Sequence, residues 1–140
     1  MPRSDVSLKR AVLAVPGSSE KMISKARSID VDELFLDLED SVSPSEKSIA
    51  RSKVIEALLE GNFKSPVIAV RVNEQSSNVG VEDVSAIVLQ AGKSLNSLII
   101  PKVETADQVF DLDKRLTDLE QSANLTTGSI KIQIQIESAL

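Results

Sequence analysis

The residues of this sequence best suited to chemistry are Glu39, Asp40, Arg71, Lys102 and Glu137, preceded by the pair Pro16-Gly17. Each follows directly on a short apolar run, and from Glu39 onward they recur at intervals of roughly thirty residues or slightly more, about one strand–helix–strand step. The chain has no histidine and no cysteine. The commonest general base, the thiolate nucleophile and the usual zinc ligands are therefore all missing. What remains is chemistry by carboxylates, Lys, Arg, hydroxyls, backbone amides or a hard metal ion. Such a donor set favours oxygen-ligated Mg²⁺ over zinc.

Elements of two kinds must position these groups. Five runs rich in Val, Ile and Leu, at 11–15, 34–38, 67–72, 98–103 and 130–136, read as strands. The segments between them carry helical spacing. In the second, Ser43, Pro44 and Glu46 predict a capping box with proline at the first helical position. Ala50, Val54, Ala57 and Leu58 then share one face, and Gly61 marks the stop. The third segment places Val84, Ile87, Val88 and Ala91 together ahead of Gly92. The fourth opens with a second capping box, Thr105 and Gln108, and buries Val109, Leu112, Leu116 and Leu119. A shorter first helix spans about 19–28. Strand and helix alternating at this pitch predict βαβ units and a parallel sheet in one domain.

Ligands of parallel barrels and doubly wound sheets bind at the carboxyl ends of the strands. Side chains alternate along a strand, so Asp37 and Glu39 share a face, as do Arg71 and Asn73, and Lys102 and Glu104. Any one such charge is equally well explained as the point where the chain leaves the core. Repetition over four strands argues for a shared rim. Gly17 and Ser18 suit either an anion-cradling turn or a plain tight turn between strand and helix. Lys131, Gln133, Gln135 and Glu137 form a polar face opposite an Ile face, as in a wetted edge strand or a barrel strand with a polar lumen.

The 140-residue chain is 41% hydrophobic, with a net charge of −5 and a mean hydropathy of −0.01. Those values describe a globular chain without a nucleic-acid-binding surface. No apolar run approaches the roughly 20 residues of a membrane span. The polar opening MPRSDVSLKR lacks the apolar stretch of a secretory signal. The expected location is the cytoplasm, or an organelle if a longer precursor exists.

At the strand ends the sequence resembles a known family, the citrate lyase β-subunit/HpcH–HpaI aldolases. The segments carrying the resemblance are RAVLAVPGSSEKMISKA at 10–26, LFLDLEDSVSPSEKSIAR at 34–51, VIAVRVN at 67–73, LIIPKVE at 98–104 and IQIE at 134–137. The resemblance implies a (β/α)₈ TIM barrel, of which residues 1–140 would be the amino-terminal portion with about five strand–helix units. It implies a Mg²⁺-dependent carbon–carbon lyase acting between a 2-oxo acid and an acyl-CoA-type thioester, assembled as a homo-oligomer, trimeric or hexameric in the family. Arg71 would hold the carboxylate of the 2-oxo acid, and Glu137 would be a metal ligand that also contacts substrate. Glu39 and Asp40 would position metal-bound water or neighbouring side chains. Lys102 would add positive charge beside the developing enolate, and Pro16 and Gly17 would border the substrate. Ser138 and Ala14 depart mildly from the family pattern, which has Thr and an aromatic residue there. The family's second acidic metal ligand falls on a sixth strand, beyond Leu140. The 140-residue chain alone is accordingly expected to associate or to be poorly stable, and to be nearly inactive. Two alternatives accompany this reading: a Schiff-base aldolase using Lys102, and a non-catalytic half-barrel that keeps a 2-oxo acid-binding rim.

Overall fold

The computed structural model describes residues 8–139. The opening as far as residue 7, on which most of the leader argument rests, lies outside that span, as does Leu140. Five strands alternate with four helices: β1 (Val12–Pro16), α1 (Glu20–Ala26), β2 (Glu33–Asp37), α2 (Lys47–Glu60), β3 (Ile68–Arg71), α3 (Asn78–Ala91), β4 (Ser97–Ile100), α4 (Ala106–Ser122) and β5 (Lys131–Ile134). All strand pairs are parallel, in the order β1-β2-β3-β4-β5. The order never reverses, so the sheet has no doubly wound switch point. It is the arc of a barrel.

Curvature is visible in the side chains of its concave face. Gln133 of β5 donates both to Glu33 of β2 and to Ser97 of β4. In a flat sheet β2 and β5 would stand about 14 Å apart, three strand spacings. Their meeting requires the sheet to curl. Glu33 is buried, and Lys9 reaches it at 3.4 Å. The polar face of the fifth strand thus lines a lumen.

On the convex side Leu34, Leu36, Val70 and Leu98 are buried with Ala50, Val54 and Leu58 of α2, Ile87 and Val88 of α3, and Leu112 and Leu116 of α4. These are the helix faces that the sequence spacing predicted. The capping box at Thr105 is formed, with Gln108 N donating to Thr105 Oγ1 and Thr105 N to Gln108 Oε1. The one predicted at Ser43 is not. Residues Pro44–Glu46 wind as a single 3₁₀ turn, the Ser43 hydroxyl turns to the Glu46 carboxylate, and α2 begins at Lys47.

Candidate functional site

Strand register brings the chemistry together. Pro16 lies beside Asp37, Asp37 beside Arg71, and Arg71 beside Ile99. At this level the Asp37 carboxylate takes both ends of a side-on guanidinium: Oδ1 accepts from Arg71 Nε at 2.7 Å, and Oδ2 from Nη2 at 2.8 Å. Its oxygens also accept from the backbone amides of Glu39 and Ser41. Burial by itself would raise this carboxyl, but the hydrogen bonds from Arg71, Ser41 and the backbone outweigh it and hold it at about 2. The same pairing, first by hydrogen bond and then by charge, raises Arg71 above the ordinary arginine value.

Glu39 is in the opposite condition. It is 6% exposed, and neither carboxylate oxygen has a hydrogen-bond partner among the described residues. Arg71 Nε lies 3.7 Å from its Oε1, an ion-pair distance without a hydrogen bond. Burial, and then the neighbouring Asp40 charge, push Glu39 above the ordinary glutamate value against the pull of Arg71. The loop bearing it is tied down by Lys47, whose ammonium donates to the carbonyls of Leu38 and Glu39. Asp40 itself is exposed.

From Arg71 the contacts run on across the rim. Nη1 makes a long bond of 3.4 Å to Gln135 Oε1, and Gln135 Nε2 donates to Glu137 Oε2 at 3.1 Å. The other Glu137 oxygen accepts from the backbone amide of Lys102 at 2.9 Å. Lys102 adopts a left-handed backbone, φ +55°, at this crossing. Asp37, Arg71, Gln135, Glu137 and the Lys102 amide therefore form one chain of contacts, with Glu39 against it. A cleft of about 400 Å³ beside Glu137 is lined by Glu74, Lys102, Glu104, Gln108 and Ser138.

Some candidates point elsewhere. Asn73 is turned to α3, where Asp83 Oδ2 accepts from both its backbone and side-chain nitrogens. Alternation holds only within regular strand, and β3 ends at Arg71. The same limit applies beyond Ile100: the Lys102 ammonium lies 3.9 Å from Glu74 and is half-exposed. Such a wet, paired amine lacks the desolvation that activates a Schiff-base lysine. The amide of Gly17 is already donated to the Asp37 carbonyl at 2.7 Å. A Cβ there would lie 2.6 Å from that carbonyl oxygen and 2.8 Å from Val54. These contacts require a glycine in this tight turn, whether or not the turn also meets a ligand.

Magnesium suits the donor set only in part. Glu137 offers an exposed, hard oxygen donor at the rim, and Glu39 holds two unengaged oxygens nearby. No group of three His, Cys, Asp or Glu side chains placed to hold a metal is present among the described residues. Two participants escaped the sequence reading: Asp37 as the partner of Arg71, and Gln135 as the bridge to Glu137. Gln135 had one signal, its place on the polar face of the fifth strand. No helix among the described residues is long and apolar enough to cross a membrane.

Comparison with known proteins follows the same outline. The family profile described as HpcH/HpaI aldolase/citrate lyase matches residues 10–140. The citrate lyase subunit beta of Haemophilus influenzae is 36% identical over 135 residues, covering 96% of this chain and 45% of that protein. The L-malyl-CoA/beta-methylmalyl-CoA lyase of Cereibacter sphaeroides is 34% identical over 130 residues, covering 93% of this chain and 41% of the relative. The chain thus spans less than half the length of these curated relatives. Among solved structures, a malate synthase of Haloferax volcanii in a magnesium/glyoxylate complex superposes with a TM-score of 0.85 at 24% identity, over 97% of this chain and 44% of that one.

Proposed function

Because the chain belongs to the HpcH/HpaI aldolase/citrate lyase family, we propose that it supplies the 2-oxo acid-binding rim of a Mg²⁺-dependent carbon–carbon lyase. In this reading residues 1–140 are the amino-terminal portion of a single barrel domain. The reaction joins or cleaves a bond between a 2-oxo acid and an acyl-CoA-type thioester, in a homo-oligomer of the cytoplasm. The named activities of the two relatives support the reaction class.

The observation that carries the reading is Arg71. Three of the guanidinium's five N–H groups are engaged by Asp37 and Gln135, which leaves one on Nη1 and one on Nη2. That remaining pair suits the planar carboxylate of a 2-oxo acid. Glu137, steadied by the Lys102 amide and by Gln135, would hold Mg²⁺ from this chain. When bound, a divalent ion chelated by the 2-oxo acid stabilises the enolate-like charge of bond cleavage. Lys102 adds positive charge at the same rim. Glu39 and Asp40 orient neighbouring groups on the β2 side, and Pro16 and Gly17 close the wall beside Asp37.

Isothermal titration of the chain with oxaloacetate tests this. Binding is expected to require Mg²⁺ and to weaken by about tenfold or more in both Arg71→Ala and Glu137→Gln. Unchanged affinity in both variants removes the assignment. Borohydride treatment with pyruvate is expected to leave Lys102 unmodified.

A further inference from the structure

The guanidinium of Arg71 stands between two buried carboxylates and is hydrogen-bonded to only one. Asp37, 2% exposed, takes Nε and Nη2 and also pins the amides of Glu39 and Ser41. Glu39 has no hydrogen-bond partner among the described residues and lies 3.7 Å from the same Nε. A buried carboxylate without partners is costly, and a guanidinium that close is its natural relief. The attraction between them is strong where water is excluded. What opposes a collapse of Arg71 onto Glu39 is the side-on geometry of the Asp37 pair. Phe35 contributes as well: two residues before Asp37 on the same strand, it carries its ring centroid 5.4 Å from Arg71 Cζ.

We infer that Asp37 is a positioning residue that holds Arg71 away from Glu39, so that the guanidinium keeps two N–H groups for a ligand and Glu39 keeps its carboxylate unengaged. The part of this concerning the ligand rests on the 2-oxo acid reading above; the part concerning Arg71 and Glu39 does not. Asp37→Asn preserves shape but replaces one acceptor oxygen with a donor nitrogen that faces the guanidinium. Arg71 is then expected to pair with Glu39.

Two measurements separate the inference from the function it rests on. In the ligand-free chain, a through-hydrogen-bond correlation from the Arg71 Nε–H by nuclear magnetic resonance identifies its partner. The expected partner is an aspartate carboxylate carbon in the unsubstituted chain and a glutamate carboxylate carbon in Asp37→Asn. A glutamate partner in the unsubstituted chain overturns the inference, as does the absence of a glutamate partner in a folded Asp37→Asn. With oxaloacetate and Mg²⁺, Asp37→Asn is expected to bind about tenfold more weakly or worse. In the ligand-free resonance experiment the double variant Asp37→Asn/Glu39→Gln is expected to lose the glutamate carboxylate correlation. A glutamate correlation that persists there comes from a residue other than Glu39 and overturns the inference. If the unsubstituted chain fails to bind oxaloacetate, the 2-oxo acid reading falls while the resonance experiment still decides the position of Arg71.

Discussion

At Asp37 four donors meet one carboxylate, and two residues later Glu39 has none among the described residues. Their titrations bear on stability with opposite sign. The Asp37 carboxyl is held at about 2, below its ordinary 3.8. The stability this contributes is fully present above the ordinary value and is lost as pH falls through about 2. Glu39 is raised above its ordinary 4.5. Between those two values the folded state holds the extra proton, so stability falls as pH rises, and above the raised value the ionised group carries its full cost. Glu39→Gln is therefore expected to raise Tm near neutral pH. At about pH 3, well below the ordinary value, where the carboxyl is protonated in both states, that gain should largely disappear. Thermal unfolding followed by circular dichroism at the two pH values reads this directly; a lower Tm for the variant near neutrality would show that Glu39 has a favourable partner after all. The placement of Glu39, Arg71 and Glu137 at one rim was legible because each follows an apolar strand. The Asp37–Arg71 pair was not, because alternation specifies a face and not a neighbour; the neighbour comes from the register of β2 against β3.

Between strands and helices, several polar residues in the family-like segments hold the connecting loops. Lys47 closes the carbonyls of the β2–α2 loop. Arg51 crosses from α2 to α3, its Nε 2.8 Å from the buried Asp83, whose other oxygen anchors Asn73. Helix spacing places Asp83 one turn before Ile87, at the margin of the buried face, but gives no sign of its partners Arg51 and Asn73, so this network could not be read in advance. The apolar faces of α2 to α4 and the Thr105 cap could, since they depend on spacing and on local backbone chemistry. Gly80 shows how a tertiary contact overrides local preference. In the first turn of a helix, alanine would ordinarily be favoured by up to about 1 kcal/mol. Here a Cβ would fall 2.1 Å from the Glu74 carbonyl oxygen and 2.6 Å from that of Asn73. Gly80→Ala is expected to destabilise the fold by about 1–3 kcal/mol, read as a lowered urea midpoint. A midpoint that stays level or rises would mean that the β3–α3 turn is looser than described.

For the molecule as a whole, strand order and the cross-lumen contacts of Gln133 and Gln135 establish a curled parallel arc with its strand ends on one rim. That arc was legible as five apolar runs with helical segments between them. Its curvature was legible only through the family resemblance, which implied a barrel. The residues alone left the polar face of the fifth strand open between a wetted edge and a lumen, because curvature resides in contacts between strands two and three positions apart in the sheet. Among the described residues β1 and β5 each pair on one side only, and Ile134 and Ile136 are exposed beside the free edge. Unpaired edges and open apolar surface of this kind are where further strands or another chain would add. The central claim is that the carboxyl ends of separate strands build one metal- and acid-binding rim. Paramagnetic broadening by Mn²⁺, used in place of Mg²⁺ with oxaloacetate present, tests it most directly. The strongest broadening is expected together at the Lys102 and Glu137 amides and the Arg71 side chain, and weaker broadening at Glu33, Ser97 and Lys131 on the opposite end of the strands. Broadening centred on that opposite end, or none at the rim, would contradict the account.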